Sequence, residues 1–330
     1  MKPVKLGIIG CGIAARELHW PAIRKLDDKF EVISVCNHTV PKAKEFSQMV
    51  GNVPYVTDYK DILNNTEIEA VDIVLPIHLN FEVTKDSLEA GKHVIVEKPL
   101  AANMEEASAM LSFETKYHKV MMVAENYRYD PVFVKLKEYI SDGKIGKPYS
   151  VFWNCYSYLE PDSKYALTKW RIDHKYPGGF ITDGGIHNIA VLRDLFGEIT
   201  SGISCTKSIN HSIGELDSMS FLFNTQSDVN GVFNFYHSSN GYHERRLLIL
   251  GSEGSITVEG NEITIKKEKT DDIVENIESC CGYQAEFEDF YRAIREGKRV
   301  VATFGESYKD LKVMIGALNS AGKFGKQNLD

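Results

Sequence analysis

A glycine-rich turn between a predicted strand and a predicted helix restricts the fold of this chain more than any other feature. The apolar run 4–9 is followed by Gly10-Cys11-Gly12-Ile13-Ala14-Ala15, which fits the pattern Gly-x-Gly-x-x-Gly/Ala. The first glycine allows a tight turn, the second lets a pyrophosphate approach the backbone, and the helix N-terminus attracts negative charge. A purely structural glycine turn is the alternative, but the strand–turn–helix context favours dinucleotide binding.

The first third of the chain alternates short β-branched runs with amphipathic segments. Strands are predicted at 4–9, 31–36, 70–75, 93–96 and 120–124, and helices at 14–26, 41–50, 58–63, 81–90 and 104–118. This alternation is typical of α/β proteins and predicts an N-terminal doubly wound parallel sheet, the Rossmann arrangement.

From residue 149 onward the pattern changes to consecutive strand-like runs separated by Gly, Asn, Asp and Ser. These runs lie at 149–159, 199–209, 217–225, 228–237, 244–250, 255–259 and 262–267, and helices are predicted at 284–296 and 306–323. We therefore expect a C-terminal α+β domain with a largely antiparallel open sheet. Phe, Tyr and Val on its strands make the bare face a candidate interface in a homodimer or homotetramer.

The length of the chain predicts its division into domains. At 330 residues it exceeds the size at which a single core usually stops growing. We predict an NAD(P)-binding Rossmann domain at residues 1–124, where the alternating pattern stops. Residues 125–330 are then the substrate-binding and oligomerisation domain.

Composition disfavours several classes of partner. The net charge of −8 disfavours a nucleic-acid backbone or an anionic membrane as the main partner. No apolar stretch reaches the ~18 residues that are needed to span a bilayer. The six cysteines contain no Cys-x-x-Cys pair, and Cys280 and Cys281 are adjacent. We therefore expect reduced thiols in a soluble cytoplasmic protein, and we predict no metal site.

The end of the second predicted strand bears on the choice of coenzyme. NAD sites usually place an acidic residue there to bind the ribose 2′-hydroxyl, whereas this chain reads Cys36-Asn37-His38-Thr39. Asn37 and Thr39 can hydrogen-bond a 2′-phosphate, and Lys42 and Lys44 lie within reach on the next helix. These residues favour NADP over NAD, although a neutral site can also accept NAD.

A second informative stretch is 178–188, where Asp183 precedes His187 by four residues. On a helix the two side chains share one face. Gly184 and Gly185 between them each cost a helix about 1 kcal/mol relative to alanine. This cost indicates that something approaches the backbone closely, and a substrate or coenzyme is the natural candidate. The alternative is that Asp183 caps the helix and that His187 is a core histidine.

Further motifs, in the same order along the chain, resemble those of the glucose–fructose oxidoreductase, inositol 2-dehydrogenase and rhizopine-catabolism (Gfo/Idh/MocA) family. They are the segment 89–100 with Glu97-Lys98-Pro99, the segments 126–131 and 141–146, the pair Trp170-Arg171, the stretch 178–188, and the segment 251–254. The resemblance implies a Rossmann domain followed by an α/β domain with an open antiparallel sheet. It also implies an NAD(P)-dependent oxidoreductase that acts on sugars, polyols or related cyclic alcohols.

The resemblance implies roles for individual residues. Lys98 matches the family's functional lysine, and Asp183 and His187 match its catalytic carboxylate and imidazole. Histidine suits proton transfer because its ordinary pKa of about 6.5 lies near working pH. We therefore assign His187 as the acid/base, with Lys98 assisting and Asp183 orienting the imidazole or contacting the substrate.

Further contacts are predicted around these three residues. The predicted coenzyme-binding residues are Gly10, Gly12, Ile13, Ala14, Asn37, His38, Thr39, Leu75, Pro76, His78, Asn80, Glu97, Lys98, Asn126, Trp170 and Arg171. The predicted substrate-binding residues are Lys98, Tyr127, Arg128, Tyr158, Asp183 and His187, with Asn154 and Tyr156 as further candidates. For Trp170 the alternative is a role as a core anchor, and for Arg128 it is a structural ion pair.

Three positions depart from the family pattern. Ile77 follows Pro76 where an asparagine is frequent, Asn80 occupies a histidine position, and Ala190 replaces an aspartate three residues after His187. The first departure removes an amide that commonly approaches the coenzyme. The last removes a carboxylate that can hold the imidazole.

Hydride transfer between nicotinamide C4 and a sugar, polyol or related cyclic alcohol or ketone is the function we predict from sequence. One alternative is an NAD-dependent glycosidase that uses transient oxidation, which the missing acidic partner for the NAD ribose mildly disfavours. The other is a non-catalytic nucleotide-sensing regulator, which the retention of Lys98, Asp183 and His187 disfavours.

Overall fold

The computed structural model describes residues 1–214 and 216–322 of the chain. Two compact units are formed, one from residues 1–129 with 280–309 and the other from residues 130–279 with residues from 310 onward. The assignment of 1–124 and 125–330 to coenzyme and substrate domains stays a prediction. Within the described ranges, no helix is both long enough and apolar enough to cross a membrane.

The first unit is built on a six-stranded sheet with the order β3-β2-β1-β4-β5-β6, and all of its strand pairs are parallel. The strands are β1 (Val4–Ile9), β2 (Phe30–Cys36), β3 (Tyr55–Val56), β4 (Ala70–Ile73), β5 (His93–Glu97) and β6 (Met121–Ala124). The helices before residue 130 are α1 (Trp20–Arg24), α2 (Val40–Met49), α3 (Tyr59–Asn64), α4 (Asn80–Glu89), α5 (Met104–Leu111) and α6 (Phe113–Lys116). The predicted doubly wound parallel sheet is confirmed.

Buried side chains explain why these segments form a parallel sheet. Every residue of β4 and β6 is buried, as are four consecutive residues of β1. Near-continuous burial is expected where helices cover both faces of a sheet. The order of the strands reverses at β1 and β4, and ligands of such sheets bind beyond the carboxyl ends of the strands at this switch point.

The first predicted helix, 14–26, is interrupted. Ala15–His19 forms a π-helical turn in which the Trp20 N–H donates to the Ala15 carbonyl, five residues earlier, and α1 follows it. Pro21 has no N–H with which to continue an α-helical ladder across this point. Wide turns of this kind are frequent at functional sites.

The second unit contains an eight-stranded sheet with the order β14-β13-β12-β11-β7-β10-β9-β8. Its strands are β7 (Pro148–Tyr156), β8 (Ile199–Lys207), β9 (Ser218–Thr225), β10 (Asn230–Tyr236), β11 (Glu244–Gly251), β12 (Gly254–Glu259), β13 (Glu262–Lys266) and β14 (Ile273–Asn276). Its helices before residue 280 are α7 (Pro131–Ser141), α8 (Lys169–Ile172) and α9 (Gly179–Phe196). All neighbouring strands pair antiparallel except β7 and β10, which confirms the predicted largely antiparallel sheet.

The last two helices are α10 (Tyr283–Glu296), which belongs to the first unit, and α11 (Phe304–Ser320). The short elements β3, β14 and α8 and the longer helix α7 were not predicted from the sequence. The predicted helix 104–118 is divided into α5 and α6, because Ser112 ends one and begins the other. The predicted end of the last helix at residue 323 lies outside the described residues.

The two faces of the second sheet differ in burial. Val151 and Trp153 are buried, whereas Phe152 between them is 38% exposed and Leu222 on β9 is 52% exposed. Alternate residues of a strand point to opposite faces. The face that carries Trp153 packs under α9, and the other face presents apolar side chains to solvent in this single chain.

Candidate active site

The glycine turn after β1 has the geometry that its sequence predicts. Gly10 has a φ of +108°, and a Cβ at this position would collide with the Val74 carbonyl oxygen. Only glycine fits such a conformation without strain. At Gly12, by contrast, a Cβ would meet nothing within 4 Å. The backbone of Gly12 is therefore open to a ligand, while Gly10 is required for the turn itself.

Asn37, which follows β2, is tied to this turn. Its Oδ1 accepts a hydrogen bond from the Cys11 N–H at 3.3 Å, and its Nδ2 donates to the Thr39 carbonyl at 3.4 Å. Arg16, in the π-helical turn, pairs with Glu45 of α2 through two N–O contacts of 2.8 and 2.7 Å. Asn37 is thus a neutral group at the position where NAD sites usually carry a carboxylate.

The carboxyl end of β5 carries Glu97, Lys98 and Pro99, and the Lys98–Pro99 peptide bond is cis. The Nδ2 of Asn80 donates to the carbonyl oxygens of Glu97 and Pro99, at 2.8 Å each. Asn80 is fully buried. Its amide therefore supports the turn around Lys98, and its predicted direct contact with the coenzyme stays a prediction.

Glu97 also belongs to a buried network that sequence reasoning missed. His19, in the π-helical turn, is fully buried between two carboxylates. Its Nδ1 lies 3.1 and 3.0 Å from the two carboxylate oxygens of Asp72 on β4, and its Nε2 lies 3.1 Å from Glu97 Oε1. The only sequence signal was a histidine in a segment that otherwise reads as an ordinary amphipathic helix.

The segment after β6 forms a tight turn, Asn126–Tyr129. Asn126 Nδ2 donates to the Cys281 carbonyl at 2.6 Å, and the Tyr129 hydroxyl donates to Asp289 Oδ2 at 2.8 Å. Arg128 is 8% exposed. Asn126 therefore holds the segment 280–309 against the rest of the first unit. The predicted ligand contacts of Tyr127 and Arg128 stay predictions.

The remaining coenzyme candidates of the first unit lie near the carboxyl ends of its strands. Pro76 precedes the short helical turn Ile77–Leu79, which includes His78 and leads into α4. Ile77 is 1% exposed, so the residue that departs from the family pattern packs inward. The others in this region are Ile13, Ala14, His38, Thr39 and Leu75, which follow β1, β2 and β4 in the chain.

In the second unit, Asp183 and His187 lie on α9 and are both partly exposed. The helix begins at Gly179 after the N-cap Gly178, which has a φ of +82°. Asp183 is therefore an interior residue, and the alternative of an N-capping Asp183 is wrong. The partial exposure of His187 equally excludes a fully buried core histidine.

Asp183 is paired with a cation. Arg171 Nε donates to Asp183 Oδ2 at 2.7 Å, and the two side chains are 14% and 13% exposed. The guanidinium carbon lies 4.2 Å from the ring centroid of Trp170 and 5.2 Å from that of Tyr165. Stacked aromatic rings and a charge-assisted bond both restrict the orientation of Arg171.

Gly184 and Gly185 lie close to side chains of neighbouring elements. A Cβ at Gly184 would lie 2.7 Å from Phe235 Cζ, and one at Gly185 would lie 3.1 Å from Met314 Cε. The groups that approach these glycines are thus side chains of β10 and α11. Close packing of α9 therefore gives a reason for these glycines, and the expectation that they make room for coenzyme and substrate stays a prediction.

His237, just after β10, is a second residue that sequence reasoning missed. Its Nδ1 lies 3.1 Å from Ser157 Oγ, and its Nε2 would lie 3.7 Å from a Cβ at Gly184. Burial, followed by the charge of Arg245, lowers the pKa of His237 to about 4 against the opposing effect of Asp183. His237 is therefore a neutral imidazole beside the N-terminal half of α9.

Two of the predicted substrate groups lie on the other face of the sheet. Cys155 lies 3.6 Å from Asn188 Nδ2 of α9, so its neighbours Asn154 and Tyr156 point to the opposite side. They line a shallow depression together with Phe152, Asn234, Arg246 and Leu248. Substrate binding by Asn154 and Tyr156 on the face of Asp183 is therefore excluded. Tyr158, beyond the end of β7, forms a bridge with Ser238, and its substrate contact stays a prediction.

Within the described ranges, no group of three or more His, Cys, Asp or Glu side chains is placed to hold a metal ion. Ala190 is fully buried, so the position of the missing aspartate packs into the core.

Comparisons with known proteins agree with this architecture. The family described as "Oxidoreductase family, NAD-binding Rossmann fold" matches residues 4–125, and the GFO/IDH/MocA C-terminal domain matches residues 133–257. An uncharacterised protein of Saccharomyces cerevisiae is 33% identical over 268 residues, which are 78% of this chain and 75% of that protein. The NAD(+)-dependent scyllo-inositol 2-dehydrogenase of Bacillus subtilis is 27% identical over 293 residues, 84% of this chain and 83% of its own.

Solved structures give the same result. The crystal structure of an oxidoreductase from Thermotoga maritima has a TM-score of 0.92 and 34% sequence identity, and covers 97% of each chain. A levoglucosan dehydrogenase in complex with NADH and levoglucosan has a TM-score of 0.87 at 24% identity, with 97% of this chain and 98% of that chain covered. This chain therefore belongs to the Gfo/Idh/MocA family of oxidoreductases, with an NAD-binding Rossmann fold.

Proposed function

We propose that this oxidoreductase transfers a hydride between nicotinamide C4 and a carbon of a sugar, a polyol or a related cyclic alcohol or ketone. The observation that carries the proposal is the partly exposed pair Asp183 and His187 on one face of α9, which serves neither as a helix cap nor as core. Relatives named scyllo-inositol 2-dehydrogenase and levoglucosan dehydrogenase support a carbohydrate-like substrate.

The residues around the glycine turn fit a dinucleotide. The open space at Gly12 admits a pyrophosphate, and the adjoining backbone N–H groups are suited to bind it. Asn37 would face the adenosine ribose, and Lys98, after β5, would lie toward the nicotinamide end. When bound, the coenzyme supplies the hydride acceptor or donor.

The protein's own residues then handle the proton and the charge. Oxidation of an alcohol requires a base for the hydroxyl proton, and His187 is the proposed acceptor. Lys98 donates a hydrogen bond to the reacting oxygen and stabilises its negative charge. The Arg171 guanidinium holds Asp183 in a fixed orientation, from which it orients His187 or binds a substrate hydroxyl.

The coenzyme preference is also a proposal. Neutral Asn37 and Thr39, with Lys42 and Lys44 on α2, favour a 2′-phosphate and hence NADP. The relatives support both choices, because scyllo-inositol 2-dehydrogenases that are named for NAD(+) and for NADP(+) both match this chain.

The test is a substrate panel read at the absorbance of reduced nicotinamide. Purified protein is mixed with NAD or NADP and with aldoses, inositols, anhydro-sugars and deoxy-sugars. We expect reduction of the coenzyme with at least one member and a loss of about 10²-fold or more in His187→Asn and Lys98→Met. The matched control is His211→Asn, which changes an exposed histidine and should retain activity.

Two outcomes would count against the proposal. If no member of the panel changes the absorbance with either coenzyme, hydride transfer to this class is wrong. Cleavage of a glycoside without net reduction of a tightly retained coenzyme would instead favour the glycosidase.

A second copy of this chain is the proposed occupant of the outer face of the second sheet. Phe152 and Leu222 are exposed there, and Leu248 is partly exposed between Phe152 and Arg246. An apolar face of this kind is typical of an interface. We expect a dimer or tetramer in analytical ultracentrifugation and a monomer for Leu222→Glu; a wild-type monomer would refute this.

A cytoplasmic location is also proposed. The six cysteines are all free thiols, which fits a reducing compartment.

A further inference from the structure

The turn that presents Lys98 rests on the buried network of His19, Asp72 and Glu97. Both ring nitrogens of His19 face carboxylate oxygens at hydrogen-bond distance, Nδ1 toward Asp72 and Nε2 toward Glu97. A neutral imidazole has one donor and one acceptor nitrogen, so only the doubly protonated ring can donate to both carboxylates. The two contacts therefore fit a doubly protonated His19. Burial raises the pKa of Asp72, and the pairing with His19 opposes that shift.

The electrostatic environment agrees with this protonation state. Burial by itself lowers the pKa of His19, but the charges and hydrogen bonds of Asp72 and Glu97 outweigh it and raise the pKa well above its usual value. Charged hydrogen bonds of this kind are about twice as strong as neutral ones. His19 thus holds Glu97 in place through a charge-assisted hydrogen bond.

The carboxylate of Glu97 links His19 to the backbone of Lys98. While Oε1 faces His19, Oε2 accepts a hydrogen bond from the backbone N–H of Lys98 at 3.0 Å. On the other side of the turn, Asn80 holds the carbonyls of Glu97 and Pro99. The backbone from which the Lys98 side chain departs is therefore fixed on both sides.

Helix α10 packs against the network. The ring of His19 lies 5.4 Å from that of Phe287 and 6.2 Å from that of Tyr283, measured between centroids. Glu286 of the same helix is fully buried, and neither of its carboxyl oxygens has a hydrogen-bond partner among the described residues. Burial, with the nearby charges of Glu97, Glu125 and Asp72, raises its pKa well above the usual range despite His19, which favours the neutral form of Glu286.

We propose that His19 is a positioning residue for Lys98, which it holds through the carboxylate of Glu97. This inference rests on the proposed role of Lys98 in hydride transfer. An ordinary core histidine would contribute to folding alone. A positioning residue also sets the orientation of an ammonium group, where a displacement of about 1 Å can cost 10²-fold in rate.

A matched control is available on β5 itself. His93, at the start of that strand, accepts a hydrogen bond from the Val120 N–H, and burial lowers its pKa to about 4. His93→Gln thus removes a partly buried neutral histidine from the same unit, at the end of β5 opposite to Glu97. Its effects report loss of stability without disturbance of the Lys98 turn.

Three measurements test the proposal. In ¹⁵N spectra of the wild-type protein at pH 8, we expect both nitrogens of His19 to be protonated, with its signals assigned by their absence in His19→Gln. After reductive ¹³C-methylation of lysines, the Lys98 signal, assigned with Lys98→Arg, should shift in His19→Gln and stay in place in His93→Gln. In kinetics, kcat should fall about 10- to 100-fold in His19→Gln, with the Kd of the coenzyme within about twofold.

The outcomes separate this inference from the proposed function. A neutral His19 at pH 8, or a His19→Gln protein whose Lys98 signal and kcat match those of His93→Gln, would overturn it. If the wild-type protein turns over no substrate, the proposed function fails, while the two spectroscopic measurements still decide whether His19 positions Lys98. If His19→Gln does not fold, Glu97→Gln replaces it in the lysine and kinetic measurements, and histidine signals are assigned through the backbone.

Discussion

The substitution Asn37→Asp tests how the end of β2 sets the coenzyme preference. Asn37 Oδ1 lies 3.3 Å from the Cys11 nitrogen, and an aspartate oxygen in its place keeps this bond. The turn after β1 should therefore stay intact. What changes is the charge of the group that faces the ribose in the proposed site.

The magnitude follows from hydrogen bonding and charge. A hydrogen bond from the 2′-hydroxyl to a carboxylate contributes about 1.5–3 kcal/mol and one to a neutral amide contributes about 1 kcal/mol, so NAD binding gains about 0.5–2 kcal/mol. The carboxylate also repels a 2′-phosphate, by about 2 kcal/mol at a distance of roughly 8 Å and an effective dielectric constant of about 20. The two effects together change the ratio of the affinities for NAD and NADP by about 10²- to 10³-fold.

The assay is direct titration of each coenzyme by calorimetry, which needs no substrate. The control is Asn65→Asp, which adds the same charge in the same unit, at a loop residue whose side chain accepts the Glu67 N–H. We expect the ratio of the Kd values to change only in Asn37→Asp. A variant in which both Kd values change equally, or in which the ratio follows that of Asn65→Asp, would refute the assignment of Asn37 to the ribose site.

Two further predictions concern the glycine turn and the buried carboxyl of α10. Gly10→Ala should weaken coenzyme binding and reduce the free energy of unfolding by about 1–3 kcal/mol more than the control Gly51→Ala does. Both glycines have a φ of +108°, but only at Gly10 would a Cβ collide with the Val74 carbonyl. Equal losses of stability in thermal unfolding would contradict this. The raised native pKa of Glu286 means that its proton-linked stability is fully present below its unfolded pKa of about 4.5 and is lost as pH rises toward the native pKa. Glu286→Gln should therefore flatten the fall of stability above pH 5 in urea titrations, whereas Glu288→Gln, on a partly exposed neighbour, should leave it unchanged.

The sequence predicted those features that depend on short-range patterns. The alternation of apolar runs and amphipathic segments was sufficient to predict the parallel sheet, because a strand that is buried on both faces is a near-continuous apolar run. The Gly10 turn was equally readable, since its φ excludes other residues. The four-residue spacing of Asp183 and His187 placed them on one face of α9 by helix geometry alone.

Contacts between distant residues needed the tertiary structure. His19 meets Asp72 and Glu97 across 53 and 78 residues of sequence, and no local pattern indicates that a π-helical turn aims its ring between two strand ends. Side-chain direction on β7 was also undecided, because alternation does not say which face α9 will cover. Asn154 and Tyr156 therefore pointed away from the expected site.

The two glycines of α9 show the division between sequence and structure most clearly. The sequence alone determined that Gly184 and Gly185 must have a reason, since each costs helix stability. Only the tertiary structure decided that Phe235 and Met314 approach the helix at these positions. A glycine within a helix indicates that another group lies close to the backbone, but the identity of that group depends on which elements pack against the helix.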